Sequence, residues 1–422
     1  MATTRTIDLK SRIEAAKAAS RIVGRMPGAA RDAMLHEIAD AMVRRTDEII
    51  SENRDDVSDA RAAHVSPALV DRLYLDEDRI ADMARAVRVV AGLPDPIGVV
   101  DRGWRRPNGL EILRKRVPLG VIGIIYEGRP NVTTDAAALC LKSGNAVVLR
   151  GSRVARRSNQ ILAGVIESAL REVGAPPAAV TMLGTDRQEM IELVQMNGLV
   201  DLVIPRGGLE LKAALTEHAT VPVIYAAAGN CHVYVDVDAD ISLARDIILN
   251  AKVQRPGVCN AAETLLVHRA IAADALPMLV DALRAAEVEI RMCADGLSIL
   301  GSRAEGILAA TDEDYATEFL SLTIAVKLVG SLDDGIEHIN TYGTGHSEAI
   351  VTTSLAAARE FQEGVDAACV YVNASTRFTD GGEFGMGAEI GNSTQKLHAR
   401  GPIGPEELTT IKYLVTGEGH VR

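Results

Sequence analysis

The chain lacks the features that mark membrane, secreted and nucleic-acid-binding proteins. None of its apolar runs approaches the ~18 residues that a membrane span requires, and charges take the place of a signal peptide's apolar core in the first 19 residues. A net charge of −12 argues against a non-specific binder of nucleic acid or of anionic membranes. We therefore expect a cytoplasmic protein with no nucleic-acid or membrane partner.

The cysteines lack any pairing pattern. They are odd in number and widely spaced, with no CxxC pair, at Cys140, Cys231, Cys259, Cys293 and Cys369. This distribution indicates a reducing compartment and predicts neither a disulfide framework nor a metal site. Internal repeats and low-complexity segments are also missing from the sequence.

The length of 422 residues is sufficient for two or three domains with full-sized cores. In the first ninety residues, apolar residues at three-and-four spacing predict helices over Ile7–Val23, Ala29–Asn53 and Pro67–Gly92. Alternating apolar and charged residues over Leu110–Arg116 predict an exposed two-stranded arm.

From Val117 onward, short apolar runs alternate with helical patterns. The predicted strands are Val121–Tyr126, Ala146–Leu149, Ala179–Leu183, Leu199–Ile204, Pro222–Tyr225 and Val233–Val235. The predicted helices are Thr133–Leu141, Ala155–Val173, Arg187–Met196, Leu209–His218 and Ile241–Lys252. Strands that are apolar on both faces and alternate with helices predict a covered parallel sheet, with ligands at the carboxyl ends of its strands. A second α/β stretch runs from Glu263 to about Val372.

Cys259 lies in a Gly-Val-Cys turn close to Arg255, just before the apolar run Thr264–Val267. Thiolates are strong nucleophiles, and a nearby arginine favours the thiolate. Free cysteines are also among the most buried residue types, so an inert core residue is the alternative. The turn by itself does not distinguish the two.

Two strand-to-helix turns are suited to bind phosphate. Arg150–Ser158 places four arginines after a strand and at the start of a helix, where backbone amides favour an anion. Arg206 and two glycines in Pro205–Leu209 allow close approach of a pyrophosphate. The alternatives explain the segments equally well: a solvated basic turn for Arg150–Ser158 and an ordinary tight turn for Pro205–Leu209. Gly385–Gly391 has the wrong spacing for a dinucleotide fingerprint.

Two polar loops concentrate hydrogen-bonding groups. Gly343–Glu348 is rich in glycine and contains a histidine, and Asn373–Asp380 directly follows the apolar run Val370–Val372. Such a loop at a strand end predicts a small-anion site, although an ordinary polar surface turn is the alternative.

Together these segments resemble the aldehyde dehydrogenase superfamily and, nearly end to end, its gamma-glutamyl phosphate reductase (glutamate-5-semialdehyde dehydrogenase) branch. The blocks that carry the resemblance are Val117–Gly123, Tyr126–Val132, Lys142–Val147, Gln254–Thr264, Asn373–Asp380 and Leu397–Pro402. The resemblance implies an α/β fold with a Rossmann-type parallel-sheet cofactor domain, a second α/β catalytic domain and a small β oligomerisation arm. The implied bounds are 1–108 and 120–236 for the cofactor domain, 109–119 and about 400–422 for the arm, and 237–399 for the catalytic domain.

The resemblance also implies a reaction, the second step of proline biosynthesis from glutamate. In that step, NADPH-dependent reduction converts L-glutamyl 5-phosphate to L-glutamate 5-semialdehyde and releases phosphate. Cys259 matches the nucleophile, which forms a thioester. The backbone N–H of Cys259 and the side chain of Asn131 are the implied donors to the oxyanion.

One absence favours this reaction over that of a hydrolytic aldehyde dehydrogenase. Hydrolytic members use a glutamate to activate the deacylating water. The corresponding stretch here is Ala226–Asn230, and the sequence has no carboxylate between Glu217 and Asp236. The chain departs from its own branch at Ala226, where a histidine is usual. A hydrolytic enzyme and a non-enzymatic relative remain the alternatives.

The resemblance implies NADP(H) as cofactor, because Arg150 and Arg153 stand where NAD-preferring members carry a lysine and a glutamate. Glu318 resembles the glutamate that holds the nicotinamide ribose. The implied cofactor residues are Arg150, Ser152, Arg153, Arg206, Gly207, Gly208 and Glu318. The implied substrate residues are Asn373, Ser375, Thr376 and Arg377, with His346 and Arg400 equally well explained as structural.

The exposed strand Leu110–Arg116 and the C-terminal tail predict an interlocking homodimer or homotetramer. The substrate, glutamyl 5-phosphate, makes the upstream glutamate kinase a further expected partner. We expect no fused kinase, since no kinase block precedes residue 1.

Overall fold

The computed structural model describes residues 8–225 and 228–422. Ile7, the predicted start of the first helix, therefore lies outside the described residues. The chain forms two compact units. The first comprises Met1–Tyr225, Gly385–Gly391 and Ile403–Arg422, and the second comprises Ala226–Phe384 and Asn392–Pro402.

Helices and strands alternate along most of the chain. The helices are α1 (Leu9–Val23), α2 (Gly28–Arg44), α3 (Thr46–Ala62), α4 (Pro67–Leu73), α5 (Glu77–Ala91), α6 (Asn131–Lys142), α7 (Arg156–Glu172), α8 (Arg187–Leu193), α9 (Leu209–His218), α10 (Ile241–Val253), α11 (Ala272–Ala285), α12 (Ala294–Leu300), α13 (Asp312–Tyr315), α14 (Leu332–Tyr342) and α15 (Leu355–Gly364). The strands are β1 (Val100–Arg105), β2 (Glu111–Pro118), β3 (Val121–Tyr126), β4 (Ala146–Arg150), β5 (Val180–Met182), β6 (Leu202–Arg206), β7 (Cys231–Val235), β8 (Ala262–His268), β9 (Glu289–Met292), β10 (Leu308–Ala309), β11 (Thr323–Val329), β12 (Ser347–Val351), β13 (Cys369–Val372), β14 (Asn392–Ser393), β15 (Gly401–Pro402) and β16 (Thr409–Thr416).

Two of the helices predicted near the N-terminus are each divided in two. The segment predicted as one helix from Ala29 contains α2 and α3, which are separated at Arg45, where φ is −110° and ψ is 24°. The Thr46 hydroxyl donates to the Val43 carbonyl at 2.9 Å and so competes with the helical pattern. The segment predicted from Pro67 contains α4 and α5, because Asp76 accepts a hydrogen bond from Arg79 N and begins a new helix.

The first unit contains a parallel sheet in the order β5-β4-β3-β6. Every residue of β3 is buried, as expected for a central strand covered on both faces. The predicted strand Pro222–Tyr225 contributes only one parallel bridge, between Val223 and Val203. The predicted strand Leu199–Ile204 begins later, at Leu202.

The predicted arm is a three-stranded antiparallel sheet in the order β1-β2-β16. Its third strand comes from the C-terminal segment, whose distance along the chain hides the pairing from local patterns. Residues after Thr409 on β16 are exposed.

The second unit contains a seven-stranded, wholly parallel sheet in the order β10-β9-β11-β8-β7-β12-β13. Apolar clusters cover both of its faces, one around Val233 and Leu276 and the other around Tyr234 and Phe361. The predicted boundary at residue 236 lies too far along the chain, because β7 pairs with β8 and β12 in this sheet. Within residues 8–225 and 228–422, no helix is long and apolar enough to cross a membrane.

Candidate active site

In the first unit, several predicted residues lie along the carboxyl edge of the parallel sheet. Strands β4, β3 and β6 are neighbours, so the loops that follow them emerge side by side. These loops carry Ser152, Asn131 and Gly207 in turn. The Gly128 N–H donates to the Ser152 hydroxyl at 3.1 Å and ties two of the loops together. This is the edge at which parallel sheets of this kind bind ligands.

The two arginines predicted to select the cofactor differ in environment. Arg150 is half-buried and donates from its guanidinium to the Thr185 carbonyl at 2.9 Å, and burial lowers the pKa of the guanidinium. Its Nε is buried with no hydrogen-bond partner among the described residues. Arg153 is exposed in a single 3₁₀ turn, Arg153–Ala155. A buried donor without a partner beside an exposed cation is a suitable arrangement for an anionic ligand.

The N-terminus of α7 does not provide the predicted phosphate site. Asp56 of α3, only 3% exposed, accepts hydrogen bonds at 2.8 Å from both the backbone N–H and the hydroxyl of Ser158. Arg157 forms an ion pair with Asp59 at 2.7 Å. A carboxylate of the protein therefore already occupies the positive end of this helix dipole. The anion site expected over Arg150–Ser158 narrows to Arg150–Arg153.

The turn after β6 leads through Gly207 and Gly208 into α9. A Cβ on Gly207 would lie 2.8 Å from Leu211 and 2.9 Å from the carboxylate carbon of Glu127, so a larger residue there would have to displace the ends of these side chains. A Cβ on Gly208 would meet nothing within 4 Å in the described part of the chain. Arg206 packs against Gly391, where a Cβ would overlap its guanidinium. The amides at the start of α9 thus remain approachable by a phosphate.

Asn131, the expected oxyanion donor, is exposed at the start of α6. Its Nδ2 donates to Asp135 at 2.9 Å, which leaves the second amide hydrogen of Nδ2 for another acceptor. Burial raises the pKa of Asp135 to about 6, while Asn131 and Arg206 act in the opposite direction.

In the second unit, functional candidates lie at the amino edge of the seven-stranded sheet, opposite to the edge that parallel sheets usually use. Cys259 lies three residues before β8, and Glu318 precedes β11. Asn230 directly precedes β7, and His346 directly precedes β12. Strands β11, β8, β7 and β12 are consecutive neighbours, so these four loops lie side by side.

Cys259 is half-buried in a turn, and its carbonyl contacts residues at the start of β7 and just before it. The buried Cys231 thiol donates to the Cys259 carbonyl at 3.2 Å. Gly229 packs so closely that a Cβ there would lie 1.4 Å from the same carbonyl oxygen. Glu318 Oε1 accepts a hydrogen bond from the Gly229 N–H at 2.6 Å. One short glycine segment therefore joins the nucleophile candidate to the ribose-binding candidate.

Arg377 is brought to the Cys259 loop through Asn260. Asn260 Oδ1 accepts from the Arg377 guanidinium, and Arg377 Nε donates to Gln254 Oε1 at 3.0 Å. Burial lowers the pKa of Arg377, and Cys259 acts on it in the opposite direction. By the same interaction, the arginine favours the thiolate of Cys259.

The remaining residues predicted to bind substrate in this loop hydrogen-bond to the protein itself. The Ser375 hydroxyl accepts from Arg377 N at 3.2 Å, and the Thr376 hydroxyl donates to the Asn260 carbonyl at 2.7 Å. Asn373 makes two hydrogen bonds to the backbone of Thr352, beyond the carboxyl end of β12. Strand β12 has five residues, so the amino and carboxyl edges of the sheet are about 15 Å apart there. The structure thus brings Thr376 and Arg377 to the edge of Cys259 but not Asn373.

His346 and Arg400 are both held by neighbours. His346 Nδ1 lies 2.7 Å from the Ser347 hydroxyl, and burial lowers the histidine pKa to about 4, so that the imidazole is neutral at pH 7. Arg400 donates to the carboxylate of Asp366 at 2.9 Å and to its carbonyl at 3.0 Å.

Glu318, by contrast, lies in the wall of an open cleft of about 700 Å³ that Arg291 also lines.

Several residues at this edge were not predicted. Asn230 donates to the carbonyls of Tyr315 and Tyr342 at 2.7 and 2.8 Å, and the fully buried Lys252 and Glu263 form an ion pair at 2.5 Å. The only sequence signal was two charged residues that bracket the Cys259 turn. Ala226, the departure from the branch, lies outside the described residues. Among residues 8–225 and 228–422, no three His, Cys, Asp or Glu side chains group as a metal site.

Comparisons with known proteins agree with the fold and the family. The aldehyde dehydrogenase family model matches residues 1–295. The chain is 49% identical over 417 residues to a gamma-glutamyl phosphate reductase of Thermoanaerobacter sp. (strain X514), covering 99% of this chain and 100% of the relative. It is 54% identical over 408 residues to that of Heliobacterium modesticaldum (strain ATCC 51547 / Ice1), covering 96% and 97%.

The crystal structure of gamma-glutamyl phosphate reductase from Thermotoga maritima superimposes with a TM-score of 0.95 at 46% identity, covering 99% of this chain and 100% of that one. The predicted family and the predicted aldehyde-dehydrogenase-like fold are thereby confirmed. The chain belongs to the aldehyde dehydrogenase family and, within it, to the gamma-glutamyl phosphate reductases.

Proposed function

We propose that this chain catalyses the NADPH-dependent reduction of L-glutamyl 5-phosphate to L-glutamate 5-semialdehyde with release of phosphate, the second step of proline biosynthesis from glutamate. Relatives that this chain matches over nearly their full length are named for this activity. The structural observation that carries the proposal is the setting of Cys259, half-buried on a turn beside Arg377 and braced by Gly229.

In this proposal, the Cys259 thiolate attacks the acyl phosphate carbonyl, the carbon–oxygen bond to phosphate breaks, and a thioester remains. Arg377 stabilises the thiolate, and the backbone N–H of Cys259 is an oxyanion donor. Asn131 stays our predicted second oxyanion donor, since its Nδ2 keeps one amide hydrogen besides the one that it donates to Asp135. When bound, NADPH would supply a hydride to the thioester carbon, after which the carbon–sulfur bond breaks, the aldehyde is released and Cys259 returns to the thiolate.

The carboxylates near Cys259 support reduction over hydrolysis. Glu263 is fully buried in its ion pair with Lys252, and Glu318 accepts the Gly229 N–H. The ion pair keeps Glu263 away from water, the Gly229 N–H already takes one oxygen of Glu318, and the sequence has no carboxylate between residues 217 and 236. A thioester made from an acyl phosphate needs no deacylating base, and such a base would discharge it before reduction.

We assign the cofactor to the carboxyl edge of the first sheet and to Glu318. Arg150, whose Nε has no hydrogen-bond partner in the described part of the chain, and the exposed Arg153 suit the 2′-phosphate of NADP(H), supported by Ser152. The open turn at Gly207 and Gly208 suits the pyrophosphate. Arg206 is assigned a supporting contact in this set, and Glu318 is assigned the nicotinamide ribose.

The cofactor assignment is tested by Arg153→Glu. Loss of one charge-assisted contact and the added repulsion should raise the KM for NADPH by about 10- to 100-fold and leave that for NADH unchanged or lower. The exposed Arg21→Glu makes the same charge change on α1 and should leave both KM values near those of the wild type. Equal effects of the two substitutions would contradict the assignment.

For the substrate, we assign the direct contact with its anionic groups to Arg377, and we give Ser375 and Thr376 the role of holding that arginine in place. His346 is neutral at pH 7 and Arg400 is paired with Asp366, so both are better explained as supports of the loop. Asn373 is better explained as a clamp on Thr352.

The reaction is tested in reverse, with glutamate semialdehyde and NADP. We expect reduction of the cofactor only when phosphate or arsenate is present. Turnover without phosphate would favour a hydrolytic aldehyde dehydrogenase, and no turnover under either condition would favour a non-enzymatic relative. Cys259→Ser and alkylation of Cys259 should each abolish activity. Activity that survives both would contradict the nucleophile assignment.

A further inference from the structure

We propose that Glu263 is a positioning residue that holds the Cys259 loop and the Glu318 loop in register with each other, through its contacts with Lys252 and with the backbone of Leu320. The consequence for catalysis rests on the proposed function. The contacts do not depend on it.

The first contact closes the base of the Cys259 loop. Lys252 lies in the last turn of α10 and Glu263 is the second residue of β8, so the pair brackets the segment 253–262. Lys252 Nζ lies 2.5 Å from Glu263 Oε2, and both side chains are fully buried. The ends of the nucleophile loop are therefore joined by a contact that solvent does not screen.

The second contact reaches the Glu318 loop. Glu263 Oε1 accepts a hydrogen bond from the Leu320 N–H at 3.2 Å. Leu320 has φ of 54°, in the left-handed region that a branched side chain rarely adopts. The conformation persists only where its surroundings enforce it, and the Glu263 carboxylate is one such constraint. Two residues earlier, Glu318 accepts the Gly229 N–H, and Gly229 packs on the Cys259 carbonyl.

These contacts form a closed ring through the active-site edge. The ring runs from Cys259 through Gly229, Glu318 and Leu320 to Glu263, which lies four residues after Cys259 in the sequence. Movement of either loop would break one of its members. The ring therefore sets the position of the proposed nucleophile relative to the proposed ribose ligand.

A carboxylate is required because two donors converge on this side chain. Lys252 Nζ takes one oxygen and the Leu320 N–H takes the other. Because the two donors take different oxygens, a glutamine in the same place would keep an acceptor for one of them and turn its own N–H groups towards the other. Burial raises the pKa of Glu263 and lowers that of Lys252, which is the expected cost of placing an ion pair in a protein interior.

The test compares Glu263→Gln, the double variant Lys252→Met with Glu263→Gln, and Asp236→Asn as a matched control. Asp236 is also a buried carboxylate that accepts two hydrogen bonds, from Thr352 and Tyr234, but it lies at the carboxyl edge of the same sheet. Hydrogen–deuterium exchange of the full-length protein is followed in segments 253–262 and 318–320. This readout needs neither substrate nor cofactor.

In Glu263→Gln, loss of one buried hydrogen bond should speed exchange in both segments by about 10-fold. In the double variant, no lysine competes for the single oxygen of the glutamine, so exchange at 318–320 should return to within about threefold of the wild type while 253–262 stays fast. Asp236→Asn should change neither segment. If the pair had a purely structural role, exchange would speed up in both segments alike, in Glu263→Gln and in the double variant.

Steady-state kinetics supply the second readout. Glu263→Gln should lower kcat/KM for semialdehyde by at least about 10-fold and should raise the KM for NADP. In the double variant, the KM for NADP should return towards that of the wild type. Exchange and kinetics equal to the wild type in Glu263→Gln, or equal losses in Asp236→Asn, would overturn the inference. A wild type without phosphate-dependent activity would instead overturn the proposed function, and the exchange measurement would still decide the role of Glu263.

Discussion

At the scale of single residues, Gly229 is the position at which one added carbon should matter most. A Cβ there would lie 1.4 Å from the Cys259 carbonyl oxygen, so Gly229→Ala must displace the backbone of the proposed nucleophile. A shift of about 1 Å at a catalytic group costs about 100-fold in rate, and overpacking costs about 1–3 kcal/mol of stability. We expect a fall in kcat of that order together with a lower Tm.

The control for this substitution is Gly164→Ala. Gly164 lies within α7, and a Cβ there would meet nothing within 4 Å in the described part of the chain. Alanine is the better helix former, so this variant should keep its activity and unfold at the same or a higher temperature. An active Gly229→Ala enzyme would show that the Cys259 carbonyl has room that the structure denies it.

His346 makes stability depend on pH. Burial lowers its pKa from 6.5 to about 4, so between these values the unfolded chain binds a proton that the folded protein does not. The stabilisation is complete above pH 6.5, and the free energy of unfolding falls as pH decreases towards 4, by up to about 1.4 kcal/mol per pH unit. Burial lowers the pKa of His338 to about 3, which adds to the trend.

Urea denaturation at pH 4.5 and 7.5 measures this effect. His346→Gln should reduce the difference between the two free energies of unfolding, whereas His36→Gln, at an exposed histidine of α2, should leave it unchanged. An equal pH dependence in wild type and His346→Gln would mean that other groups set the acid limit.

At the scale of elements, α7 shows how a helix N-terminus that looks available in sequence is already filled. Asp56→Asn keeps the size of the cap but removes its charge, and we expect a loss of about 1–2 kcal/mol in the free energy of unfolding. Because the cap is structural, the KM for NADPH should not change. Thermal denaturation and steady-state kinetics check the two parts, and a raised KM would return this helix to the cofactor site.

The helices show which features could be predicted from the sequence and which could not. Helix α9 was predicted with its observed bounds, because two glycines precede it and good helix formers fill it. The break between α2 and α3 was missed because Met42 and Ile49, on either side of it, are both buried, so the apolar spacing continues through Arg45. The cap of α7 was invisible because Asp56 and Ser158 are 102 residues apart. Local patterns predict helices and strands well, but not the partners that fill their ends.

At the scale of the molecule, the strand alternation predicted one parallel sheet with ligands at its carboxyl edge and a second α/β stretch, but not that the candidate residues of the second sheet lie at its amino edge. The predicted cofactor residues lie at the carboxyl edge of the first sheet, as the usual rule expects, whereas Cys259 precedes the amino end of β8. Family resemblance singled out the cysteine as a candidate nucleophile, whereas the groups proposed to position it, such as Asn260 and Glu263, come from contacts that no local motif records. The boundary at residue 236 failed for the same reason, because pairing of β7 is a property of the whole sheet.

The sheet β1-β2-β16 bears on how copies of the chain assemble. Strand β16 pairs only with β2 among the described residues, so its other edge presents backbone donors and acceptors along eight residues. Its side chains include Tyr413 and Val415, which are 56% and 57% exposed. Long, exposed, apolar edge strands are normally covered, because they otherwise recruit other chains. We propose that a second copy of the chain covers this edge in a homodimer or homotetramer.

Val415→Lys places a charge on that edge and should convert the oligomer to monomers, as measured by light scattering after size-exclusion chromatography. Val421→Lys introduces the same charge beyond the strand, at a residue that is 97% exposed, and should leave the mass unchanged. Because the proposed active-site residues lie outside this sheet, the monomer should retain measurable phosphate-dependent activity. A monomeric wild type, or an oligomer that survives Val415→Lys, would show that the edge is protected in some other way.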